Sequence, residues 1–297
     1  MRILLLGKDG QVGWELQRVL APLGEVVALG RAELDLCRPE EIRSTLATTR
    51  PELIVNAAAY TAVDRAEQDE ATAFAVNAEA PGVLASQAAQ IGASLIHYST
   101  DYVFDGTKAG PYVEEDRTNP LGAYGRSKRA GELAIGKAAC PHLIFRTSWV
   151  YGSRGQNFLL TMLRLANSKP ELRVVRDQIG APTWSRTVAG VTASVLVSTG
   201  GRLRDHTGIY HLTASGQTSW HGFAEQIVTL GASLRLCPRV PVVPIATAEY
   251  PTSTPRPPNS VLAHDKLTRT FGLALPDWQV GVRSCLEELS LARDTTG

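Results

Sequence analysis

The sequence predicts an α/β protein: a doubly wound parallel sheet with a smaller α/β region after it. Three observations carry this expectation. Short runs rich in Val, Ile and Leu alternate with helix-patterned segments through the first half of the chain, and such alternation builds right-handed βαβ units whose strands are covered on both faces. The first run passes directly into a turn with glycine at positions 7, 10 and 13. After Tyr151 the alternation loses its regularity and proline accumulates.

Taken in order, Arg2–Leu6 reads as a strand, Gln11–Leu20 as a helix and Glu25–Leu29 as a second strand. Glu40–Thr48 is helix-patterned, and Leu53–Ala58 is apolar but for Asn56, the mark of a strand buried on both faces. Glu67–Ile91 is a long alanine-rich helical stretch with an interruption expected near Pro81. Ser94–Ser99 is the next strand, Ala123 to Lys137 a helix and Leu143–Thr147 a strand. Beyond Tyr151, Asn157–Asn167, Thr187–Ser198, Ser219–Leu230 and Val280–Leu291 are helix-patterned, with strands at Arg173–Val175 and Ile209–Leu212. Seven prolines between Pro238 and Pro258 predict a long ordered loop or lid, because proline removes backbone donors.

Composition narrows the partners. The chain has 297 residues, 44% of them apolar, enough for one large or two unequal domains. The formal net charge of +1 offers no basic face for nucleic acid. The longest apolar runs, such as Ile3–Leu6 and Leu53–Ala59, are too short to span a bilayer, and the N-terminus has no signal-peptide pattern. Cys37, Cys140, Cys237 and Cys285 are scattered and the six histidines lack ligand spacing, so reduced thiols, no metal site and a cytoplasmic location are expected.

The glycine spacing after the first strand carries chemistry. Gly7, Gly10 and Gly13 suit a tight turn, close approach of a pyrophosphate and packing of helix on sheet, with the helix N-terminus offering free N–H groups to the phosphates. This is a Rossmann-type dinucleotide cradle, although an ordinary βα turn has the same outline. Residues 1–150 are thus read as the dinucleotide-binding domain, with later segments returning to it, and residues 151–297 as mainly a substrate-binding region. At the end of the second strand a carboxylate would select NADH; here Gly30 and Arg31 stand instead, so a 2′-phosphate partner and NADPH preference are expected. Glu33 and Asp35 leave an NADH mode possible. The small residues of Asn56-Ala57-Ala58-Ala59-Tyr60 let a flat cofactor lie against a strand end.

Tyr124 and Lys128 share one helix face at i and i+4. An ammonium near a phenol lowers its proton affinity, which suits a tyrosine to acid–base work. His97-Tyr98-Ser99-Thr100-Asp101-Tyr102 ends another strand; either Ser99 or Thr100 faces the site, since alternation admits only one. Asp101 could accept bonds from sugar hydroxyls or cap a turn, and His97 reads as a core histidine. Trp149 suits stacking on a sugar or base, or equally a core. Arg256 suits a diphosphate, with Asn259 and Ser260 assisting it in binding the substrate, or is a solvated loop residue.

Together these motifs resemble the extended short-chain dehydrogenase/reductases. Across nearly the whole chain, G-K-D-G-Q-V-G-W-E-L-Q, H-Y-S-T-D-Y-V-F, F-R-T-S-W-V-Y, D-Q-x-G-A-P-T, Y-H-L-x-A-S-G, R-P-x-N-S and L-P-D-W-Q-V-G-V resemble, in order, the dTDP-4-dehydrorhamnose reductases. The resemblance implies reduction of the 4-keto group of dTDP-4-dehydrorhamnose by NADPH or NADH, the last step towards dTDP-rhamnose. It implies Thr100, Tyr124 and Lys128 as the catalytic trio, with Tyr124 and Lys128 also at the cofactor, Lys128 on the nicotinamide ribose. Gly10, Gln11 and Val12 would line the pyrophosphate; Ala59, Tyr60, Thr61 and Tyr98 would flank the cofactor; Asp35 and Leu36 would lie near the adenine. Thr100, Asp101, Tyr124 and Trp149 would touch the sugar. Some relatives form metal-bridged dimers; a homodimer is therefore an open expectation, but Arg186 stands where a bridging glutamate is expected, and a guanidinium cannot ligate Mg²⁺. The same motifs also admit a nucleotide-sugar epimerase, a ketoreductase of the opposite face, or a non-catalytic NADP-binding regulatory subunit.

Overall fold

A computed structural model describes residues 1–294. The first half runs β1 (Arg2–Leu6), α1 (Gln11–Leu20), β2 (Glu25–Leu29), α2 (Pro39–Thr49), β3 (Leu53–Asn56), α3 (Glu70–Phe74), α4 (Ala80–Ile91), β4 (Ser94–Thr100), α5 (Ala123–Lys137) and β5 (His142–Thr147). The second half runs β6 (Val150–Tyr151), α6 (Phe158–Ala166), β7 (Leu172–Val175), β8 (Ile179–Gly180), β9 (Thr183–Trp184), α7 (Ser185–Ser198), β10 (Gly208–His211), β11 (Thr218–Ser219), α8 (Trp220–Ser233), β12 (Val242–Ile245), α9 (Asp265–Phe271) and α10 (Trp278–Asp294).

Six strands form one sheet in the order β10-β5-β4-β3-β1-β2, every neighbouring pair parallel. Both faces are covered. Leu16 and Leu20 of α1 pack with Val188 and Val195 of α7 against Ile3, Leu5 and Val55 on one side. On the other, Ile42 and Leu46 of α2, Leu84 and Ala88 of α4 and Ile135 of α5 meet Leu4, Ile54 and Leu95. The strand order reverses between β1 and β3, and the crevice at their carboxyl ends is where ligands enter such sheets. A separate core forms around α6, α8 and α10 from Leu159, Phe223, Ile227, Val282 and Leu286. Among the described residues no helix is long and apolar enough to cross a membrane.

The differences from expectation have local causes. The break in the alanine-rich stretch is a π turn at Ala75–Glu79, just before α4, rather than a kink at Pro81; proline is tolerated in a first helical turn. The proline-rich segment contains β12, paired parallel to β7 with Pro244 opposite Val174. β12 is an edge strand, so Pro244 need sacrifice no bond in a ladder. The seven-residue helix α9 was too short to show a period.

Candidate active site

The glycine turn is built by contact between strand ends. Gly7 has φ +84°, in the left-handed region, and a Cβ there would stand 2.7 Å from the Ala58 nitrogen. Only glycine meets both demands, so the loop after β1 lies flat on the chain leaving β3. Gly10 caps α1 without a side-chain acceptor, leaving the first-turn N–H groups for anions. That cradle fits a dinucleotide pyrophosphate. Gln11 and the half-buried Val12 open the helix; Gln11 Oε1 accepts from Asn157 Nδ2 at 2.9 Å, tying α1 to the cap of α6. At the other end of the crevice Arg31 is exposed and Leu36 buried, while Asp35 accepts from the Cys37 N–H at 3.0 Å. Glu33 is engaged by Lys8 and by the Gly30 N–H.

Beyond β3, Ala59 is half-buried and Thr61 exposed. Tyr60 is held by Asn77, whose Oδ1 accepts from its N–H at 2.9 Å and whose Nδ2 donates to its carbonyl at 3.0 Å. Tyr60 and Tyr124 pack around the same small cluster of Ala66, Ala73 and Ala123.

Tyr124 and Lys128 project from the first turns of α5. The helix begins after Gly122, where the Glu67 carboxylate accepts from the Ala123 N–H at 2.6 Å. A Cβ on Gly125 would come within 2.2 Å of the Tyr102 carbonyl oxygen. Glycine there lets α5 lie hard against the chain leaving β4, which brings Thr100 to Tyr124. Thr100 Oγ donates to Asp101 Oδ1 at 2.9 Å and also bonds the Tyr124 phenol. Ser99 instead donates to Glu132 Oε1 at 2.6 Å; between the two hydroxyls, Thr100 is the one at the phenol. Asp101 is buried, with Oδ2 lacking a hydrogen-bond partner. Burial raises its carboxyl to about 6 against the lowering bonds from Ser260 and Thr100.

The electrostatics correct one expectation. Burial pushes the Tyr124 phenol up to about 12, with the Thr100 bond opposing and the Asp101 charge adding to the rise. Lys128 does not lower it here: its Nζ donates to the Tyr98 carbonyl at 2.6 Å and lies 3.1 Å from His97 Nε2. Burial brings Lys128 down to about 8, and Glu132 works against that. Glu132 accepts from Arg146 Nε and Nη2 at 2.8 Å each, and from Arg129. Burial would raise its carboxyl, but Arg146, Ser99 and Arg129 together hold it below the ordinary range.

The remaining candidates divide. Tyr98 turns its phenol to Thr192, 2.8 Å away beneath α7, so only its carbonyl reaches Lys128. Trp149 adopts φ +47° and stacks on Trp220 at 3.6 Å, with Gly180 pressed against its indole. Arg256 pairs with Asp64 and lies over the Tyr102 ring, whose edge meets Tyr124 at 5.7 Å between centroids; one guanidinium nitrogen, Nη1, is buried without a partner. Asn259 Nδ2 donates to the Lys108 and Gly110 carbonyls, pinning the loop under the proline-rich segment. Arg186 binds Glu15 at 3.1 Å and Glu288 at 2.7 Å, and among the described residues no cluster of His, Cys, Asp and Glu could hold a metal ion. Sequence reasoning missed Asn56, Asn77 and Glu132. Their signal was a polar side chain inside an otherwise apolar strand or helix face, and His97, read as a core histidine, touches the site lysine.

The family described as RmlD substrate binding domain matches residues 1–291. The chain is similar to a dTDP-4-dehydrorhamnose reductase of Burkholderia thailandensis, 51% identical and covering 97% of this chain and 99% of that protein. Among solved structures it resembles a dTDP-4-dehydrorhamnose reductase of Clostridium acetobutylicum, with 35% identity, a TM-score of 0.90 and coverage of 97% and 99% of the two chains. It also resembles one of Bacillus anthracis in complex with NADP, with 33% identity, a TM-score of 0.89 and the same coverage.

Proposed function

The chain belongs to the dTDP-4-dehydrorhamnose reductase family, and from that premise we propose how its residues serve the reaction. It reduces the 4-keto group of dTDP-4-dehydro-β-L-rhamnose to dTDP-β-L-rhamnose, the last step of dTDP-rhamnose biosynthesis. Bound NADPH supplies the hydride. The observation that carries the assignment is the meeting of Thr100 and Tyr124 at the carboxyl end of β4, with Lys128 one helical turn behind, beside the Gly7 turn.

Tyr124 and Thr100 donate hydrogen bonds to the carbonyl oxygen as negative charge grows on it, and Tyr124 gives up its proton. Such positioned proton transfer contributes roughly 10²–10⁴-fold, and oxyanion stabilisation adds to it. A phenol raised to about 12 keeps its proton at neutral pH and so has one to give to the growing alkoxide. Lys128 holds the nicotinamide ribose as well. Gly7, Gly10, Gln11, Val12 and Gly13 receive the pyrophosphate, and Ala59, Tyr60 and Thr61 flank the nicotinamide half. The 2′-phosphate of the cofactor meets Arg31, which favours NADPH over NADH. On the substrate side, Asp101 and Trp149 contact the sugar, and the free Nη1 of Arg256 faces the diphosphate.

The test is to supply dTDP-4-dehydrorhamnose with NADPH or NADH, follow the loss of nicotinamide absorbance and identify the product by NMR. Stoichiometric oxidation of NADPH with formation of the rhamnose epimer is expected. The talose epimer, or turnover without net oxidation of cofactor, would overturn the reading. Arg31→Ala should lower the NADPH-to-NADH ratio of kcat/KM by about tenfold, the loss of one charge-assisted contact; an unchanged ratio would remove Arg31 from cofactor selection.

A further inference from the structure

Behind Lys128 lies a line of polar groups that the chemistry above does not use. The Ala58 N–H donates to Asn56 Oδ1 at 3.2 Å, so the amide presents its nitrogen to His97 Nδ1, also at 3.2 Å. An amide nitrogen only donates. His97 Nδ1 must therefore accept, and the imidazole proton sits on Nε2. Nε2 in turn lies 3.1 Å from Lys128 Nζ, which donates to the Tyr98 carbonyl. Asn56, His97 and Lys128 are each 1% exposed, so solvent does not relieve a mismatch in this line.

Every member is paired when Lys128 is the amine, whose lone pair accepts from His97 Nε2–H. An ammonium has donors only. Charging Lys128 sets two N–H groups against each other at Nε2; moving the imidazole proton to Nδ1 and turning over the amide merely moves the collision to the Ala58 N–H. We propose that Asn56 and His97 are positioning residues that set the proton affinity of Lys128, so that the fall of turnover at alkaline pH is the discharge of Lys128 and not of Tyr124.

The groups around the amine agree with this. On its own helix, Tyr124 lies one turn before and Glu132 one turn after. Glu132 favours the charged lysine but is already bound by Arg146 of β5, Ser99 and Arg129. From β4 come His97 and Tyr98, with Asp101 at the strand's end. Burial lowers Lys128 to about 8 and, with the lysine's own charge, holds His97 well below its ordinary range.

The inference rests on the proposed role of Lys128 beside Tyr124, and its test separates the two. In wild-type protein labelled with ¹⁵N-lysine and free of substrate, the Lys128 Nζ resonance should titrate near 8. In Asn56→Asp, the carboxylate still accepts from the Ala58 N–H but now also accepts a hydrogen bond from Nδ1–H, so that Nε2 accepts from the ammonium. Both the Nζ titration and the alkaline limb of kcat/KM should move up by at least about one pH unit, the scale of a hydrogen bond to a charged group. His97→Gln, with its amide oxygen where Nε2 stood, should move both the same way. Titration of wild-type Nζ at its ordinary alkaline value, or a limb unmoved in either folded variant, would overturn the proposal. If neither variant folds, the wild-type titration decides. Nζ shifts as expected without ketosugar turnover would count against the activity and not against the proton line.

Discussion

Tyr124 sits where its own ionisation is opposed: burial first and the Asp101 charge second, against the Thr100 bond, raise it to about 12. A group so placed is a better proton donor to an alkoxide than a resting base. Tyr124→Phe should cut kcat by about 10²–10⁴-fold while leaving the NADPH dissociation constant within about twofold, since the phenol's partner in the protein is Thr100. Near-wild-type turnover in rapid kinetics would dismiss it as donor. Lys128→Met should damage both turnover and cofactor affinity. Thr100→Val, which keeps shape and removes the hydroxyl, should cost about tenfold or more in kcat, as one lost donor to an oxyanion. The pair at i and i+4 was legible from the sequence because helix geometry alone puts it on one face. The sign of the phenol's shift was not, because it depends on burial and on where the lysine nitrogen points.

At the scale of elements, α5 acts as a rail that carries Tyr124 and Lys128 past the end of β4. Its closeness depends on Gly125. A methyl group there would collide with the Tyr102 backbone, so Gly125→Ala should displace the helix start and lower kcat about tenfold or more, because small misplacements of reacting groups are costly. Thermal stability should fall with it. Lower down the same helix, Glu132 and Arg146 are buried side chains locked together at 2.8 Å. Glu132→Leu would leave that guanidinium without its partner and should destabilise the fold by about 3–5 kcal/mol, measurable by urea unfolding. Helix α5 itself was legible to the residue, from Ala123 to Lys137, because its pattern is long. Helix α9 was invisible because seven residues span barely two turns.

For the whole molecule, the second core brings the proline-rich segment back over the carboxyl ends of the sheet, where Arg256 meets Asp64 and Tyr102. Arg256→Ala should raise KM for the dTDP-sugar by roughly tenfold to a hundredfold, the worth of a charge-assisted bond, with less effect on kcat. Stability should also depend on pH. Burial, with the Arg146 charge adding, holds His211 down to about 3, whereas an unfolded histidine titrates near 6.5. Between those values the unfolded chain binds a proton that the folded chain refuses, so this contribution to stability is lost as pH falls through the window. Asp101, raised to about 6, acts oppositely between its unfolded value and about 6, because there the folded chain holds the extra proton. The melting temperature should fall from pH 7 towards pH 4, and Asp101→Asn should steepen the fall; a flat profile would contradict the buried neutral imidazole.

The sequence by itself determined the parallel sheet, the glycine turn and the residues that reach its carboxyl edge, because hydrophobic period, glycine spacing and helical repeat are local quantities. Only the tertiary structure decided that Thr100 and not Ser99 meets the phenol, that Tyr98 faces the core, and that Lys128 rests on His97, which Asn56 holds in turn. Those outcomes depend on how strands far apart in the chain lie side by side, and on the directions in which buried donors can still find acceptors.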